Sequence, residues 1–229
     1  MPFLETEYFR IFAIIKNSLN MLQFITTGSS RFSTAEEAQM VLEGGCRWIQ
    51  LSEKGLAGQE TILRDVASEI AVMCQEHEAF LIIEDDIDLV EDMKVHGLFM
   101  HDNSRESVMT ARERLGANAV IGVAAKSAAE IKHLIGLDVD YVMVPVPENC
   151  TDIHEFYSDI VRRLTVENID FHVVACGNIS IADFAPLLKA GCAGVAVSEE
   201  ITEASDPVAT TVAIMEALKK AREAADDLM

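Results

Sequence analysis

Charged side chains follow two short apolar runs of the sequence, at points where strands would end. Lys54 stands shortly after the first run, and Glu84 and Asp85 come directly after the second. Adjacent carboxylates are costly in a fold unless they are solvated, paired or bound to a cation. Carboxylate oxygens, together with substrate phosphates, are the ligands that Mg2+ takes in proteins. The pattern favours an Mg2+ site with a lysine on the same face, although ordinary polar strand ends would also account for it.

A further carboxylate follows the next apolar run along the chain. Asp102, after His101, would supply a second metal ligand from a neighbouring strand. The alternative is that both residues belong to the loop that enters the next helix. Asp86 directly precedes a helical pattern, so we expect it to cap that helix rather than to bind a ligand.

Short apolar runs alternate with helical patterns from Leu22 to the C-terminal segment. The predicted strands cover residues 22–26, 47–51, 80–83, 97–99, 119–123, 140–144, 171–175 and 194–197. The predicted helices cover residues 34–43, 58–76, 86–94, 104–115, 127–136, 152–164, 180–189 and 206–225. This alternation is typical of a parallel sheet, and eight repeats favour a closed barrel over an open sheet. We therefore predict an α/β protein, a (β/α)8 TIM barrel that forms a single domain over residues 21–229.

The C-terminal ends of the strands carry the chemistry in such a barrel, so we expect a small-molecule ligand on that face. The ends of strands seven and eight often bind phosphate. Glu199 and Glu200 follow the eighth strand here. One carboxylate about 4 Å from one phosphate charge costs about 4 kcal/mol at an effective dielectric of about 20. Tight phosphate binding there requires both side chains to point outward.

Residues 1–20 precede the repeating pattern and contain enough apolar residues for an extra helical segment. Acidic residues near the start and the lack of a small-residue cleavage site argue against a signal peptide. Two hypotheses stay open. The segment is a helix that covers the bottom of the barrel or contacts another subunit, or the native chain starts at Met21.

Composition excludes several classes of partner. The 229 residues include 18 Lys and Arg against 38 Asp and Glu, which gives a formal net charge of −20. Such an acidic chain is not expected to bind nucleic acid or an anionic membrane, and no apolar run is long enough to span a bilayer. The five cysteines are scattered without CxxC or zinc-ligand spacing, which predicts a reducing, cytoplasmic location. The sequence leaves the oligomeric state open, with a homo-oligomer, most commonly a dimer, as the default.

Several segments together resemble the thiamine phosphate synthase family, including its relative TenI. The second strand reads WIQLSEKG where the family has VQLREK, and the third reads LIIEDDIDLV where the family has LIINDDVDLA. Later segments read VVACGNIS against VAIGGI and GCAGVAVSEEI against GADGVAVVSAI. The resemblance extends from about Met21 to the C-terminal helix.

The resemblance implies a reaction of thiamine biosynthesis. Family members join a hydroxymethylpyrimidine diphosphate to a thiazole phosphate and release pyrophosphate with Mg2+. The substitution passes through a pyrimidine carbocation, so the enzyme must stabilise the charge that develops on the leaving pyrophosphate.

Four residues match the family's functional positions. Lys54 matches the pyrophosphate lysine, Asp85 the first metal aspartate, and Gln50 the glutamine of the second strand. Gly177 matches the first glycine of the thiazole-phosphate loop.

Other positions of the implied substrate site have changed. Ser52 replaces an arginine that could bind phosphate through two hydrogen bonds. Glu84 replaces an asparagine, Ala124 a serine, and Asn178 the second glycine of the phosphate loop, while Ser198 ends the eighth strand.

The second metal aspartate of the family falls on Ser104, so Asp102 is a displaced candidate for that role. The loop at 147–151 brings no lysine where the family has TPTK.

Two interpretations follow from these departures. The chain is a thiamine phosphate synthase with rearranged ligands. Alternatively, it is a barrel that kept the fold and lost the reaction, and it binds a non-phosphorylated ligand or a protein partner.

Overall fold

The computed structural model describes residues 22–52 and 58–226 of the chain. The predicted N-terminal helical segment at 1–20 and the predicted pyrophosphate lysine Lys54 lie outside the described residues. Within the described ranges, no helix has the length and apolar character needed to cross a membrane.

Eight parallel strands close into one barrel in sequence order, with the first strand paired to the last. The strands are β1 (Leu22–Ile25), β2 (Trp48–Leu51), β3 (Phe80–Glu84), β4 (Gly97–Met100), β5 (Val120–Ala124), β6 (Tyr141–Pro145), β7 (Val173–Cys176) and β8 (Gly194–Val197). Each strand is a short apolar run that is buried almost throughout, as expected for a parallel sheet covered by helices. The predicted TIM barrel is confirmed, and the largest shift of a strand start is at β7, which begins at Val173 rather than at 171.

Helices follow the strands and cover the outside of the barrel. They are α1 (Thr34–Glu43), α2 (Glu60–Glu76), α3 (Ile87–Met93), α4 (Arg105–Leu115), α5 (Ala128–His133), α6 (Ile153–Val166), α7 (Phe184–Lys189), α8 (Glu199–Thr202) and α9 (Pro207–Asp226). A 3-10 turn, Ile181–Asp183, leads into α7. The sequence did not predict α8, because four residues are too few for a helical period to show.

Capping side chains start several of these helices at the predicted residues. Ser33 and Glu36 form a reciprocal capping box at α1. Asp86 accepts the backbone N–H of Leu89 at 2.8 Å, which confirms its expected role as the cap of α3. Because Asp86 caps a helix, its role differs from that of Glu84 and Asp85, the two carboxylates that precede it.

The interior of the barrel has its own aromatic core. The rings of Trp48 and Tyr141 meet edge to face with centroids 4.9 Å apart, and Phe99 stacks on Tyr141 from β4. Gly122 leaves the space for this arrangement, because a Cβ atom there would lie 2.0 Å from Cζ of Tyr141. The aromatic layer closes the barrel below the polar residues described next.

Candidate active site

Glu84 is a buried carboxylate at the C-terminal end of β3. Only 12% of its side chain is exposed. One carboxylate oxygen accepts the Nε2 amide of Gln50 at 2.7 Å, and the other accepts the hydroxyl of Ser52 at 3.1 Å. The side-chain period of two in a strand directs Gln50 and Glu84 into the barrel from adjacent strands. The structure thus brings three predicted site residues into direct contact.

A chain of hydrogen bonds continues from this carboxylate into the barrel. The Nε2 amide of Gln23 donates to Oε1 of Gln50 at 2.9 Å and to the hydroxyl of Tyr141 at 3.1 Å. Burial raises the pKa of Tyr141 well above its usual value, so the phenol stays neutral. Because Gln50 donates to Glu84 and accepts from Gln23, the orientation of its amide is fixed. Sequence analysis did not identify Gln23 or Tyr141 as site residues.

Asp85 and His101 form a second polar pair at the rim, beside Glu84. Asp85 has a left-handed backbone with φ 55°, and its N–H donates to the carbonyl of Phe99 at 2.8 Å. One carboxylate oxygen accepts the backbone N–H of His101 at 2.8 Å. The other lies 2.7 Å from the imidazole Nδ1, which is also 4.0 Å from Oε1 of Glu84. About half of each side chain in the pair is exposed, so solutes can reach both.

Glu84, Asp85 and His101 could together hold a metal ion. One ligand atom from each lies within 4.8 Å of the others. The two carboxylates fit a hard divalent cation such as Mg2+, which uses one or two carboxylates and keeps other positions for water or phosphate. The imidazole is a ligand that transition metals use more often than Mg2+ does.

Asp102, the predicted second metal ligand, is hydrogen-bonded to residues at the start of the next helix. Its carboxylate accepts hydrogen bonds from the hydroxyl of Ser107 at 2.5 Å and from the backbone N–H of Ser104 at 2.9 Å. These bonds, with Ser107 first, hold the pKa of Asp102 below its usual value. Asp102 therefore stabilises the start of α4, as the helix-entry alternative for this residue proposed, and it is not part of the group formed by Glu84, Asp85 and His101.

The remaining predicted residues lie at the ends of β5, β7 and β8, on the same face because all strands are parallel. The carbonyl of Ala124 accepts the side-chain amide of Asn103 at 2.9 Å. Gly177 has φ 102°, a conformation that favours glycine, and Asn178 follows it as an exposed residue. The carbonyl of Ser198 accepts the N–H of Ile201 at 3.0 Å and so begins α8.

The end of β8 carries negative charge toward solvent. Glu199 and Glu200, in the first turn of α8, are both exposed. Arg31 donates its guanidinium to the carbonyls of Thr202 at 3.0 Å and Ala204 at 2.6 Å, and so caps the other end of that helix.

A cavity of about 470 Å3 lies beside this face, between the N-terminal ends of α5 and α6. Lys126, Cys150 and Phe156 are among its lining residues, and so is Arg163. The Nε atom of Arg163 is 2.6 Å from a carboxylate oxygen of Asp159, so the guanidinium of Arg163 already forms an ion pair. None of the three residues that could hold a metal lines this cavity.

The matching family model and the most similar curated relatives agree on one family. The family model described as thiamine monophosphate synthase matches residues 22–201. A thiamine-phosphate synthase of Bacteroides fragilis (strain YCH46) is 32% identical over 202 residues, which cover 85% of this chain and 98% of the relative. One from Bacteroides thetaiotaomicron is also 32% identical over 202 residues, covering 85% of this chain and 95% of the relative.

The solved structures include the same fold. Thiamine phosphate pyrophosphorylase from Pyrococcus furiosus superposes with a TM-score of 0.76 at 23% identity. The superposition covers 90% of this chain and 98% of the other.

Proposed function

This chain belongs to the thiamine monophosphate synthase family, and on that premise we propose that it joins a hydroxymethylpyrimidine diphosphate to a thiazole phosphate with release of pyrophosphate. The observation that carries the proposal is the contact between Gln50 and Glu84 beside Asp85. By resemblance, these three positions correspond to the family's second-strand glutamine, the residue before the metal aspartate, and that aspartate. They meet at the barrel face where such enzymes react.

Binding and orientation of the pyrimidine are assigned to Gln50. Its amide is held from both sides, by Gln23 at 2.9 Å and Glu84 at 2.7 Å. A fixed amide at the barrel mouth loses little rotamer entropy when a ring binds beside it. The reacting carbon is then presented to the thiazole in a defined position.

The leaving pyrophosphate is assigned to the rim. Asp85 and Glu84 would hold Mg2+, which when bound supplies positive charge to the departing phosphate oxygens. Lys54 is proposed to contact the same oxygens, from the family position that it matches. Each contact stabilises charge that grows as the bond breaks, so it favours the transition state over the ground state.

Glu84 is suited to stabilise the positive charge that develops on the pyrimidine. Its carboxylate is mostly buried, which strengthens its electrostatic effect. A negative group beside a pyrimidine that becomes a carbocation stabilises the positive charge that develops there. The replacement of the family asparagine by glutamate is therefore compatible with the reaction.

The second candidate function is a barrel that binds a non-phosphorylated ligand or a protein partner without this reaction. The observation that favours it is the loss of anion donors, since Ser52 and Asn178 replace an arginine and a glycine while Glu199 and Glu200 add negative charge. In either case we infer a reducing, cytoplasmic location, because all five cysteines are free thiols.

Titration calorimetry with pyrophosphate, with and without Mg2+, tests the proposed function. We expect metal-dependent binding that is lost in Lys54→Ala and Asp85→Asn and kept in Lys219→Ala, a lysine exposed on α9. Product formation from the two substrates is then assayed by chromatography. The absence of both pyrophosphate binding at millimolar concentration and product would leave the second candidate function.

A further inference from the structure

Glu84, Asp85 and His101 form one group at the rim of the barrel. The two carboxylates offer oxygen ligands, and the imidazole of His101 adds a nitrogen ligand. We propose that His101 is a protein ligand of the metal at this site, and that the site prefers a first-row transition divalent cation, such as Mn2+ or Zn2+, over Mg2+. The inference deepens the proposed function. It rests on that function in one respect, the use of this metal in the synthase reaction.

The backbone places the three side chains together. Glu84 is paired in register with Phe99 on the adjacent strand, and the N–H of Asp85 donates to the carbonyl of Phe99. His101 leaves the barrel two residues after Phe99, so its ring stands next to both carboxylates. The ring also packs edge to face on Phe99, with centroids 5.3 Å apart. Glu84 is the last residue of β3, and Asp85 and His101 are the first residues after β3 and β4, so the site lies directly at the ends of two paired strands.

The distances suit a shared ion after small side-chain movements. The imidazole Nδ1 is 2.7 Å from Oδ2 of Asp85 and 4.0 Å from Oε1 of Glu84. Metal–ligand bonds of about 2.0–2.2 Å place neighbouring ligand atoms about 3–3.5 Å apart. The two distances lie on either side of that range, so rotation about the side chains of the exposed pair is enough to reach it.

Charge favours a cation at this point. The described donors to the two carboxylates are neutral groups: the Gln50 amide, the Ser52 hydroxyl and the backbone N–H of His101. In the described part of the chain, His101 is the sole ionic partner of either carboxylate. The chain as a whole carries a formal net charge of −20, which raises the local concentration of divalent cations.

The type of ligand decides between cations. Mg2+ is bound through oxygen and keeps several waters, whereas imidazole nitrogen is a good ligand for zinc, iron and nickel. Carboxylates with one imidazole therefore form a mixed nitrogen and oxygen site, in which the imidazole suits Zn2+ and the carboxylates also suit Mn2+. Asp102, an oxygen ligand that would have favoured Mg2+, is instead bonded to Ser104 and Ser107.

Metal binding to the metal-free full-length protein tests the inference without substrate. Calorimetry is run with Mg2+, Mn2+ and Zn2+, and the loss of the free Mn2+ paramagnetic resonance signal gives a second measure of binding. We expect Mn2+ and Zn2+ to bind more tightly than Mg2+. His101→Ala should weaken Mn2+ and Zn2+ binding by about 10- to 100-fold and change Mg2+ binding far less.

The matched control is His154→Ala, an exposed histidine on α6 whose Nε2 lies 3.5 Å from the hydroxyl of Ser158. It should leave all three affinities unchanged, and Asp85→Asn should weaken all three. The inference is overturned if His101→Ala binds Mn2+ and Zn2+ like the unaltered protein, if Mg2+ binds most tightly, or if none of the three ions binds. The bond from His101 to Asp85 would then be a hydrogen bond alone.

The outcome is separable from that of the proposed function. Mn2+ binding that depends on His101, without product from the two substrates, supports the metal site and rejects the synthase reaction. Product formation by the unaltered protein, together with Mn2+ and Zn2+ binding that is unchanged in His101→Ala, rejects the metal preference and supports the reaction.

Discussion

Nδ1 of His101 lies 2.7 Å from Oδ2 of Asp85, although the two residues are 16 positions apart in the sequence. A second bond, from the backbone N–H of His101 to Oδ1 at 2.8 Å, joins the same residues. Because that second bond does not need the imidazole, removal of the ring leaves Asp85 with a partner. Substitution of His101 should therefore change the chemistry of the rim while the barrel keeps its fold.

Glu84→Asn is expected to tighten pyrophosphate binding in the absence of metal by about tenfold or more. The carboxylate is mostly buried at the barrel mouth, where one charge repels a phosphate charge by several kcal/mol at close range. The measurement is titration calorimetry with pyrophosphate in the presence of a chelator. Glu216→Gln removes the same charge from the exposed surface of α9 and should have almost no effect. Equal affinities in Glu84→Asn and the unaltered protein would show that the anion binds elsewhere.

Gly122→Ala is expected to destabilise the barrel by about 3 kcal/mol, the upper end of the usual cost of overpacking. The added methyl group would lie 2.0 Å from Cζ of Tyr141, inside the aromatic core. Urea denaturation followed by circular dichroism measures the change in the free energy of unfolding.

The double variant Gly122→Ala/Tyr141→Ala provides the control for this prediction. Without the ring the methyl group has space, so the double variant should be no less stable than Tyr141→Ala alone. A loss of stability in the double variant equal to the sum of the losses in the two single variants would contradict the clash as the cause.

Acidic pH should destabilise the fold through His96. Burial lowers the pKa of His96 below the usual histidine value of 6.5, and its Nδ1 accepts the N–H of Leu81 at 3.1 Å, so the folded state holds the ring neutral. As the pH falls below 6.5, the unfolded chain takes up a proton that the folded chain resists, so stability is lost down to the folded pKa. Above pH 6.5 the ring is neutral in both states and contributes no pH dependence.

Denaturant midpoints between pH 5 and pH 8 measure this effect. His96→Gln keeps an acceptor for Leu81 and cannot take up the proton, so its stability should fall less steeply below pH 6.5 than that of the unaltered protein. Parallel pH profiles for the two proteins would assign the acid sensitivity to other groups.

Thiol labelling should find one fast cysteine in the folded protein. Burial raises the pKa of Cys46 to about 11 and those of Cys74, Cys176 and Cys192 to about 12, so these thiols hold almost no thiolate at neutral pH. Cys150 is half-buried in the loop before α6 and is the expected site of reaction. Iodoacetamide labelling at pH 7.5, followed by peptide mass spectrometry, identifies it. Denaturation in guanidinium should expose all five, and rapid labelling of Cys74 in the native state would contradict the expectation.

The sequence alone determined the architecture and the family. Eight apolar runs, each followed by a helical pattern, indicate a closed parallel barrel, in which helices cover the buried strands. Local signals also identified the caps at Ser33 and Asp86, since capping involves residues only three positions apart. Segment by segment, the resemblance to the thiamine phosphate synthase family agrees with the matched family model and relatives.

Only the tertiary structure decided which polar side chains meet. Gln23 reaches Tyr141 across 118 positions of sequence, and Glu84 takes Gln50 as its partner from the adjacent strand. Asp102 bonds to nearby serines, while His101 faces Asp85. A strand's period of two shows which residues face the barrel interior, but the order and register of the closed sheet set the distances between them. Hydrogen bonding and metal ligation depend on those distances. The polar residues at the rim could therefore be identified from the sequence, but only the fold shows which of them contact one another.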